Sequence, residues 1–141
     1  MKRVDASGIA TAVLGLLIVV TPIVFPVCEG LLELMNGKQV PMRCNWTARA
    51  EMVFGVLVLI VGLMIAFLKN PGERRRLHHQ AALLGLVTIL TPLFIIPTCD
   101  NPDMACNVGT KPALIILGGL VLVGGLLGSR TPKLPPAQVA A

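Results

Sequence analysis

Charged residues are scarce in this chain, and aromatic residues are scarcer still. Only 13% of its 141 residues are charged and 4% are aromatic, with no tyrosine and a single tryptophan. Ordinary soluble domains hold about 25% charged residues. With 55% hydrophobic residues and a mean hydropathy of +0.81, too little polar surface remains to face water. We therefore exclude a soluble globular fold and predict an integral membrane protein.

Common catalytic and nucleotide-binding motifs are also missing. The sequence contains no Walker motif, no Gly-rich phosphate loop, no HExxH and no nucleophile elbow. We place Glu51 at a membrane boundary and expect no carboxylate in the middle of a span, which argues against a stand-alone pump or a proton-coupled transporter. These absences favour a non-enzymatic protein.

The apolar residues are concentrated in four blocks. The blocks cover roughly residues 9–27, 52–68, 81–97 and 112–128. Each block is about long enough to cross a hydrocarbon core of ~30 Å as a helix. The predicted fold is all-α, a polytopic membrane four-helix bundle.

The chain also contains an internal repeat. The segment TPIVFPVC at 21–28 returns as TPLFIIPTC at 91–99, and MRCN at 42–45 returns as MACN at 104–107. Each copy predicts a helix, a Pro-kinked exit, a Cys-bearing loop and a second helix, so the bundle is built from two tandem helical hairpins. We divide the single membrane domain, 1–141, into repeat one at 8–68, a cytoplasmic linker at 69–79, repeat two at 80–128 and a flexible tail at 129–141.

The distribution of basic residues predicts the orientation. Eight of the twelve Lys and Arg residues lie near the N-terminus, in the linker or in the tail. By the positive-inside rule, both termini and the linker are cytoplasmic and the two Cys-bearing loops are external. The net charge of +5 then reflects membrane topology, and no nucleic-acid partner is expected.

All four cysteines fall on the predicted external side, where disulfides persist. We favour the pairs Cys28–Cys44 and Cys99–Cys106, because each would staple one hairpin at its mouth. The cross-repeat pairing, Cys28–Cys99 with Cys44–Cys106, stays open, since four cysteines allow three connectivities.

Glycine and proline mark the expected packing and bending of the helices. Gly55 and Gly62 are seven residues apart, as are Gly118 and Gly125, so each pair lies on one helix face where a neighbouring helix can approach. Pro22 and Pro92 are expected to kink the first and third helices. The kinks either splay the helix ends to fit the loops or open a shallow external pocket for a small ligand or lipid.

The first external loop holds the residues expected to touch a partner or ligand. Residues 29–35 predict a short amphipathic surface helix, ended by Asn36-Gly37. Glu51 is expected at the membrane interface, paired with Arg49 or stabilising its helix N-terminus. Its counterpart in repeat two would be Ala113. The predicted contact residues are Arg43, Trp46, Arg49 and Glu51.

Two alternatives involve chemistry at sulfur. The thioethers and thiols of Met42, Cys44, Met104 and Cys106 are soft ligands that suit copper(I). Four helices with two external Cys pairs are also similar in layout to bacterial disulfide-generating quinone reductases, although no Cys-x-x-Cys is present. No cofactor is favoured; copper and quinone remain the alternatives.

One segment carries a family resemblance. MRCNWTARAE at 42–51, followed by a Gly-bearing apolar helix and preceded by Pro26-x-Cys28, resembles a small uncharacterised prokaryotic family of four-helix membrane proteins, over about residues 8 to 128. The resemblance implies a multi-pass protein of the prokaryotic plasma membrane that accompanies ABC-type permeases. Our first hypothesis is a non-enzymatic accessory subunit that associates with another membrane protein or with itself in the lipid bilayer. The alternatives are a thiol-redox or copper protein, and a small-ligand or lipid binder.

Overall fold

A computed structural model of the chain describes residues 5–25, 27, 30–98 and 101–130. Cys28 and Cys99 lie outside the described residues, as does Pro26, and each of the two favoured disulfide pairs contains one of these cysteines. Helix α1 covers Ala6–Val24, α2 Arg43–Phe67, α3 Pro71–Leu90 and α4 Lys111–Ser129. Two single π-helical turns, Thr91–Ile95 and Cys106–Thr110, extend α3 and precede α4. Two short strands, β1 at Leu31–Glu33 and β2 at Gln39–Pro41, lie between α1 and α2.

In the described part of the chain, four helices are long and apolar enough to cross a membrane. The third of these spans includes the π turn after α3, and the fourth includes the π turn before α4. The prediction of a mostly helical protein with four apolar spans is confirmed, and it indicates a multi-pass membrane protein.

The helices begin earlier than the apolar blocks do. Helix α2 starts at Arg43, nine residues before the block that predicted it. Helix α3 starts at Pro71, so most of the segment predicted as a linker is helical. Pro71 has the fixed φ that suits the first helical position, and Glu73 complements the helix dipole in the first turn. Hydropathy identifies the apolar part of a helix that suits the hydrocarbon core of a membrane. It does not identify the polar turns at the ends of the same helix.

The segment between α1 and α2 contains a β-hairpin, so the predicted amphipathic helix at 29–35 is wrong. Strands β1 and β2 pair antiparallel, with Leu31 opposite Pro41. The turn between them contains Gly37 at a φ of 71°, a conformation that glycine adopts without steric penalty. The dipeptide Asn36-Gly37 fits the end of a helix, and it is also a strong hairpin signal. A seven-residue helix forms too few hydrogen bonds to compete.

Helices α1 and α2 pack against each other at glycines. A Cβ atom at Gly8 would overlap the backbone of Ala66, and one at Gly62 would overlap the backbone of Ala12. One helix therefore approaches the other closely where no side chain intervenes, and the order of contacts shows that they run antiparallel. Such approach lets dispersion contacts stabilise helix pairs in lipid.

Helices α3 and α4 pack in the same way. A Cβ atom at Gly85 would lie 2.6 Å from the amide nitrogen of Leu122, and one at Gly125 would lie 2.7 Å from that of Ala82. The two helix pairs meet where α2 contacts α3 and where α1 contacts α4. Their shared core is formed by Ile18, Val58, Ala81, Leu114 and Val121.

The two π turns absorb two extra residues in repeat two. Four positions separate Pro22 from Pro26, whereas five separate Pro92 from Pro97. The amide of Phe25 accordingly donates to Thr21 O, four residues back, and that of Ile96 donates to Thr91 O, five residues back. Adding one residue to a helix in this way is the usual effect of a π-bulge.

The second π turn also accommodates one extra residue in repeat two, and it changes which residue of repeat two corresponds to Glu51. Thr47 follows Cys44 by three residues and Thr110 follows Cys106 by four, and the amide of Lys111 donates to Cys106 O, five residues back. Beyond this turn the repeats match with Gly55 at Gly118 and Gly62 at Gly125. The counterpart of Glu51 is therefore Leu114, and the assignment of Ala113 is wrong.

Candidate functional site

Cys44 and Cys106 meet where the two repeats join. Their Sγ atoms lie 3.2 Å apart, and each residue is 1% exposed. This separation is a hydrogen-bonding distance between thiols and exceeds the ~2.05 Å of a disulfide bond. The contact crosses from one repeat to the other. The favoured within-repeat pairs involve residues outside the described part and stay a prediction.

Two threonine hydroxyls flank the cysteine pair in a reciprocal arrangement. Thr47 Oγ1 donates to Ile96 O at 2.9 Å, and Thr110 Oγ1 donates to Phe25 O at 3.2 Å. Each hydroxyl lies on the second helix of one repeat and binds a carbonyl at the end of the first helix of the other. Carbonyls at helix ends have no partner within their own helix, so these contacts satisfy them across the repeat boundary.

Glu51 is buried inside the bundle. Its exposed fraction is 0%, and neither carboxylate oxygen has a hydrogen-bond partner among the described residues. Because α2 begins at Arg43, Glu51 lies two turns inside the helix, on the buried face that also holds Thr47 and Gly55. The predicted pairing with Arg49 is therefore wrong, whereas the position of Glu51 relative to the membrane boundary stays a prediction.

The polar neighbours of Glu51 are hydroxyls that already donate elsewhere. Thr91 lies next to the carboxyl group, and its hydroxyl donates to Val87 O at 2.8 Å. Thr47, one turn away on α2, donates to Ile96 O. A hydroxyl has one proton to donate and two lone pairs that accept. The Thr91 hydroxyl can therefore donate its one proton to Val87 O or to the Glu51 carboxyl group, but not to both at once.

Arg43, Trp46 and Arg49 lie on the outer side of α2. The guanidinium carbon of Arg49 lies 5.9 Å from the centroid of the Trp46 ring, within cation–π range. Trp46 is 55% exposed, and both arginines are exposed. These three predicted contact residues are thus accessible from outside the bundle, in contrast to Glu51.

The two methionines of the predicted soft-metal set lie just before their helices. The carbonyl of Met42 accepts from the amide of Asn45 at 3.0 Å, and that of Met104 accepts from the amide of Asn107 at 2.9 Å. The Met42 side chain lies against Gly30. Over the described ranges, no three His, Cys, Asp or Glu residues come together as a metal site would require.

Pro22 and Pro92 are both buried among their neighbours. The threonine before each proline donates its hydroxyl to the carbonyl four residues earlier, Thr21 to Leu17 O at 2.7 Å and Thr91 to Val87 O. Helix α1 continues through Pro22 to Val24, whereas the regular helix of α3 gives way to the π turn at Thr91. The irregular backbone beside Glu51 therefore belongs to repeat two alone.

These features indicate a multi-pass membrane protein whose described residues form four long helices in two related halves, and the halves meet at a buried cysteine pair and a buried carboxyl group. The chain belongs to the family described as domain of unknown function (DUF4418), whose profile matches residues 11–129 and so spans both repeats. No curated protein matches the chain. No solved structure matches it either.

Proposed function

We propose that this protein is a non-enzymatic integral membrane subunit that presents its external loops to a partner membrane protein. In this proposal it lies in a prokaryotic plasma membrane, its tandem hairpins place both termini in the cytoplasm, and the β-hairpin and cysteines face outward. The family resemblance suggests an ABC-type permease as the partner. The charge asymmetry of the loops supports this orientation.

The observation that carries the proposal is the exposure of the β-hairpin. Every residue of β1 and β2 is exposed, and Leu31, Leu32 and Met35 are large apolar side chains without cover. An isolated two-stranded hairpin is marginally stable in water. A partner surface that covers these side chains would stabilise the hairpin and bury its apolar area.

Trp46 and Arg49 extend the same outer surface. Tryptophan and arginine are enriched at the centres of protein interfaces because each combines apolar area with a directed polar group. Their cation–π contact holds both side chains in one orientation before a partner arrives. The preorganised pair supports a docking role for this end of α2.

The contact between Cys44 and Cys106 gives the outer end of the protein its rigidity in this proposal. A bond between them would tie the helix pair of repeat one to that of repeat two. The 3.2 Å separation supports the cross-repeat pairing over the within-loop staples. The loops would then project from a closed bundle end.

Site-specific photo-crosslinking in cells tests the proposal. A crosslinking side chain is placed at Met35 or Trp46, and the matched control is placed at Val123, an exposed residue of α4. We expect positions 35 and 46 to give an adduct with a second membrane protein and position 123 to give lipid adducts. Mass spectrometry then shows whether the partner is an ABC-type permease.

Two results would contradict the accessory role. One is that positions 35 and 46 crosslink only to lipid or to other copies of this chain. The other is that Trp46→Ala leaves co-purification with the crosslinked partner unchanged while the protein stays folded.

A thiol-redox protein is the second candidate, and the Cys44–Cys106 contact favours it. Oxidation of the two thiols would form one disulfide and release two protons and two electrons, which a membrane quinone can accept. Rapid alkylation of cells, followed by mapping of free and bridged cysteines, measures the thiol states. A mixed population that shifts with the quinone pool would support this function, and one fixed state would oppose it.

A further inference from the structure

The accessory role makes no use of Glu51. We propose that Glu51, together with the hydroxyl oxygens of Thr47 and Thr91, forms a binding site for one monovalent cation, a proton or Na⁺, where α2 meets the π turn of α3. The inference does not depend on the proposed partner, because every group of the site lies inside the bundle.

The first argument comes from the hydrogen bonds. The protons of both threonine hydroxyls point to backbone carbonyls, Ile96 O for Thr47 and Val87 O for Thr91. While these two bonds hold, neither hydroxyl can also donate to Glu51, and the carboxylate oxygens are left without a donor among the described residues. Hydrogen-bond acceptor oxygens repel each other at close range. They are stable side by side only when a cation lies between them or when one of them carries a proton.

The second argument is the lack of an internal counter-charge. Within residues 5–25, 27, 30–98 and 101–130, one ion pair is formed, between Arg74 and Asp5 at the opposite end of the bundle. Arg49, the nearest cation on α2, lies over the exposed Trp46 ring. A buried carboxylate without a partner is strongly unfavourable, so this one must be neutralised by something that enters from outside the chain.

The third argument compares the repeats. Leu114 occupies the position of Glu51 in repeat two, and it too is 0% exposed. The same packing of helices in repeat two therefore accommodates a leucine at this position. Packing alone does not call for a carboxyl group at this position, and an ionisable residue inside a membrane span is a functional group by default.

The fourth argument is the local backbone. The site adjoins the Thr91–Ile95 π turn, where Pro92 cannot donate a hydrogen bond and the regular helix ends. Interrupted helices beside polar groups are the usual setting of cation sites in membrane proteins. π turns are likewise concentrated at functional positions.

Few other titratable groups adjoin the site. Cys44 lies two turns away on the same face of α2, and Cys106 faces it from the start of the fourth span. Helix α1 from Ser7 onward and the π turn Thr91–Ile95 contain no titratable side chain. We therefore assign any Na⁺ or pH dependence of the site to Glu51. The variant Cys44→Ser tests whether the nearest cysteine contributes to that dependence.

The test uses dicyclohexylcarbodiimide, an apolar reagent that adds to protonated carboxyl groups within membranes. The purified full chain in lipid nanodiscs is labelled in sodium chloride or in choline chloride, and the modified residue is located by mass spectrometry. Glu51→Gln serves as the unreactive variant. Glu33→Gln, which changes an exposed carboxylate of β1, is the matched control.

We expect labelling at Glu51 that Glu51→Gln abolishes and Glu33→Gln leaves intact. If Na⁺ at ten times its dissociation constant lowers the labelling about tenfold, the site holds Na⁺. If labelling depends on pH and not on Na⁺, the site holds a proton. Both results support the proposal.

Thermal unfolding provides the second measurement. We expect the melting temperature of the wild type to respond to Na⁺ or pH and that of Glu51→Gln to lose the response. Glu51→Leu, which copies Leu114, should fold and be equally unresponsive. The proposal is overturned if Glu51 is never labelled and the wild type and Glu51→Gln respond identically to Na⁺ and pH. Crosslinking from position 35 should be unchanged in Glu51→Gln, which separates this site from the partner surface.

Discussion

The hydroxyl of Thr47 donates to the backbone carbonyl of Ile96 at 2.9 Å, a contact that joins α2 of repeat one to the end of the π turn in repeat two. Thr110 makes the corresponding contact with Phe25 O at 3.2 Å. The two repeats are thus joined by backbone carbonyls at helix ends, which have no donor within their own helix. Thr47 and Thr110 occupy corresponding positions in the two repeats, so each contact serves as a control for the other.

Replacing either threonine by valine removes one such contact while keeping the side-chain shape. We expect Thr47→Val and Thr110→Val each to lower the free energy of unfolding by about 0.5–1.5 kcal/mol, because a partly buried carbonyl loses its donor. Denaturant unfolding in detergent measures the effect. Stability equal to wild type in both variants would show that the contacts do not hold the repeats together.

Oxidation should link the halves of the protein through Cys44 and Cys106. In a Cys28→Ser/Cys99→Ser background, we expect a mild oxidant to form one disulfide between them, because their Sγ atoms are already 3.2 Å apart. Trypsin then cuts at the exposed Arg75 and Arg76, and the two halves should migrate together until reductant is added. Separate halves without reductant would rule out this pairing. Adding Cys44→Ser is the control.

Adjacent glycines in α4 should respond differently to a methyl group. A Cβ atom at Gly118 would lie 2.9 Å from Gly85 O, whereas one at Gly119 would meet nothing within 4 Å. We expect Gly118→Ala to destabilise the protein by about 1–3 kcal/mol through overpacking. Gly119→Ala should be neutral or stabilising by up to about 1 kcal/mol, because alanine favours helix. Equal melting temperatures for the two variants would contradict the close approach of α3 and α4.

Asp5 has two roles at the start of α1 that can be separated. Its carboxylate accepts from the amide of Ser7 at 3.1 Å and pairs with Arg74. Asp5→Asn keeps a capping side chain and should cost up to about 1 kcal/mol, as expected for a partly exposed ion pair. Asp5→Ala also removes the cap and should cost about 1 kcal/mol more. Thermal unfolding at low and high salt distinguishes them, since only the ion-pair part should vanish in salt. Equal losses in both variants would assign no stability to the cap.

The helices were more predictable than the loop between the first two. Apolar runs of membrane length located all four spans because lipid imposes the same requirement along a whole helix. Leu31, Leu32 and Leu34 fit a short helix as well as a strand, and the sequence 29–35 is too short for periodicity to decide. The turn conformation of Gly37 decides it.

The burial of Glu51 could have been predicted from its spacing along α2. It is four residues before Gly55 and seven before Val58, which puts it on the packed face of α2. Its closeness to Arg49 in sequence favoured a surface ion pair, which this helical spacing opposes. The meeting of Cys44 with Cys106 is different, since it depends on how the helix pairs dock, and neither spacing nor charge along one chain specifies that.

The π turns at Thr91–Ile95 and Cys106–Thr110 explain how the duplicated halves have drifted apart while staying matched. An extra residue normally rotates everything beyond it by about 100° and turns its inward face toward lipid. Here each insertion is confined to one widened turn, and Gly118 and Gly125 keep the facing of Gly55 and Gly62. A π turn thus adds a residue without changing which face of the following helix points inward. Equivalent positions of the two repeats can then carry different side chains, such as Glu51 in repeat one and Leu114 in repeat two. The two repeats therefore keep the same helix packing while their buried side chains differ in chemistry.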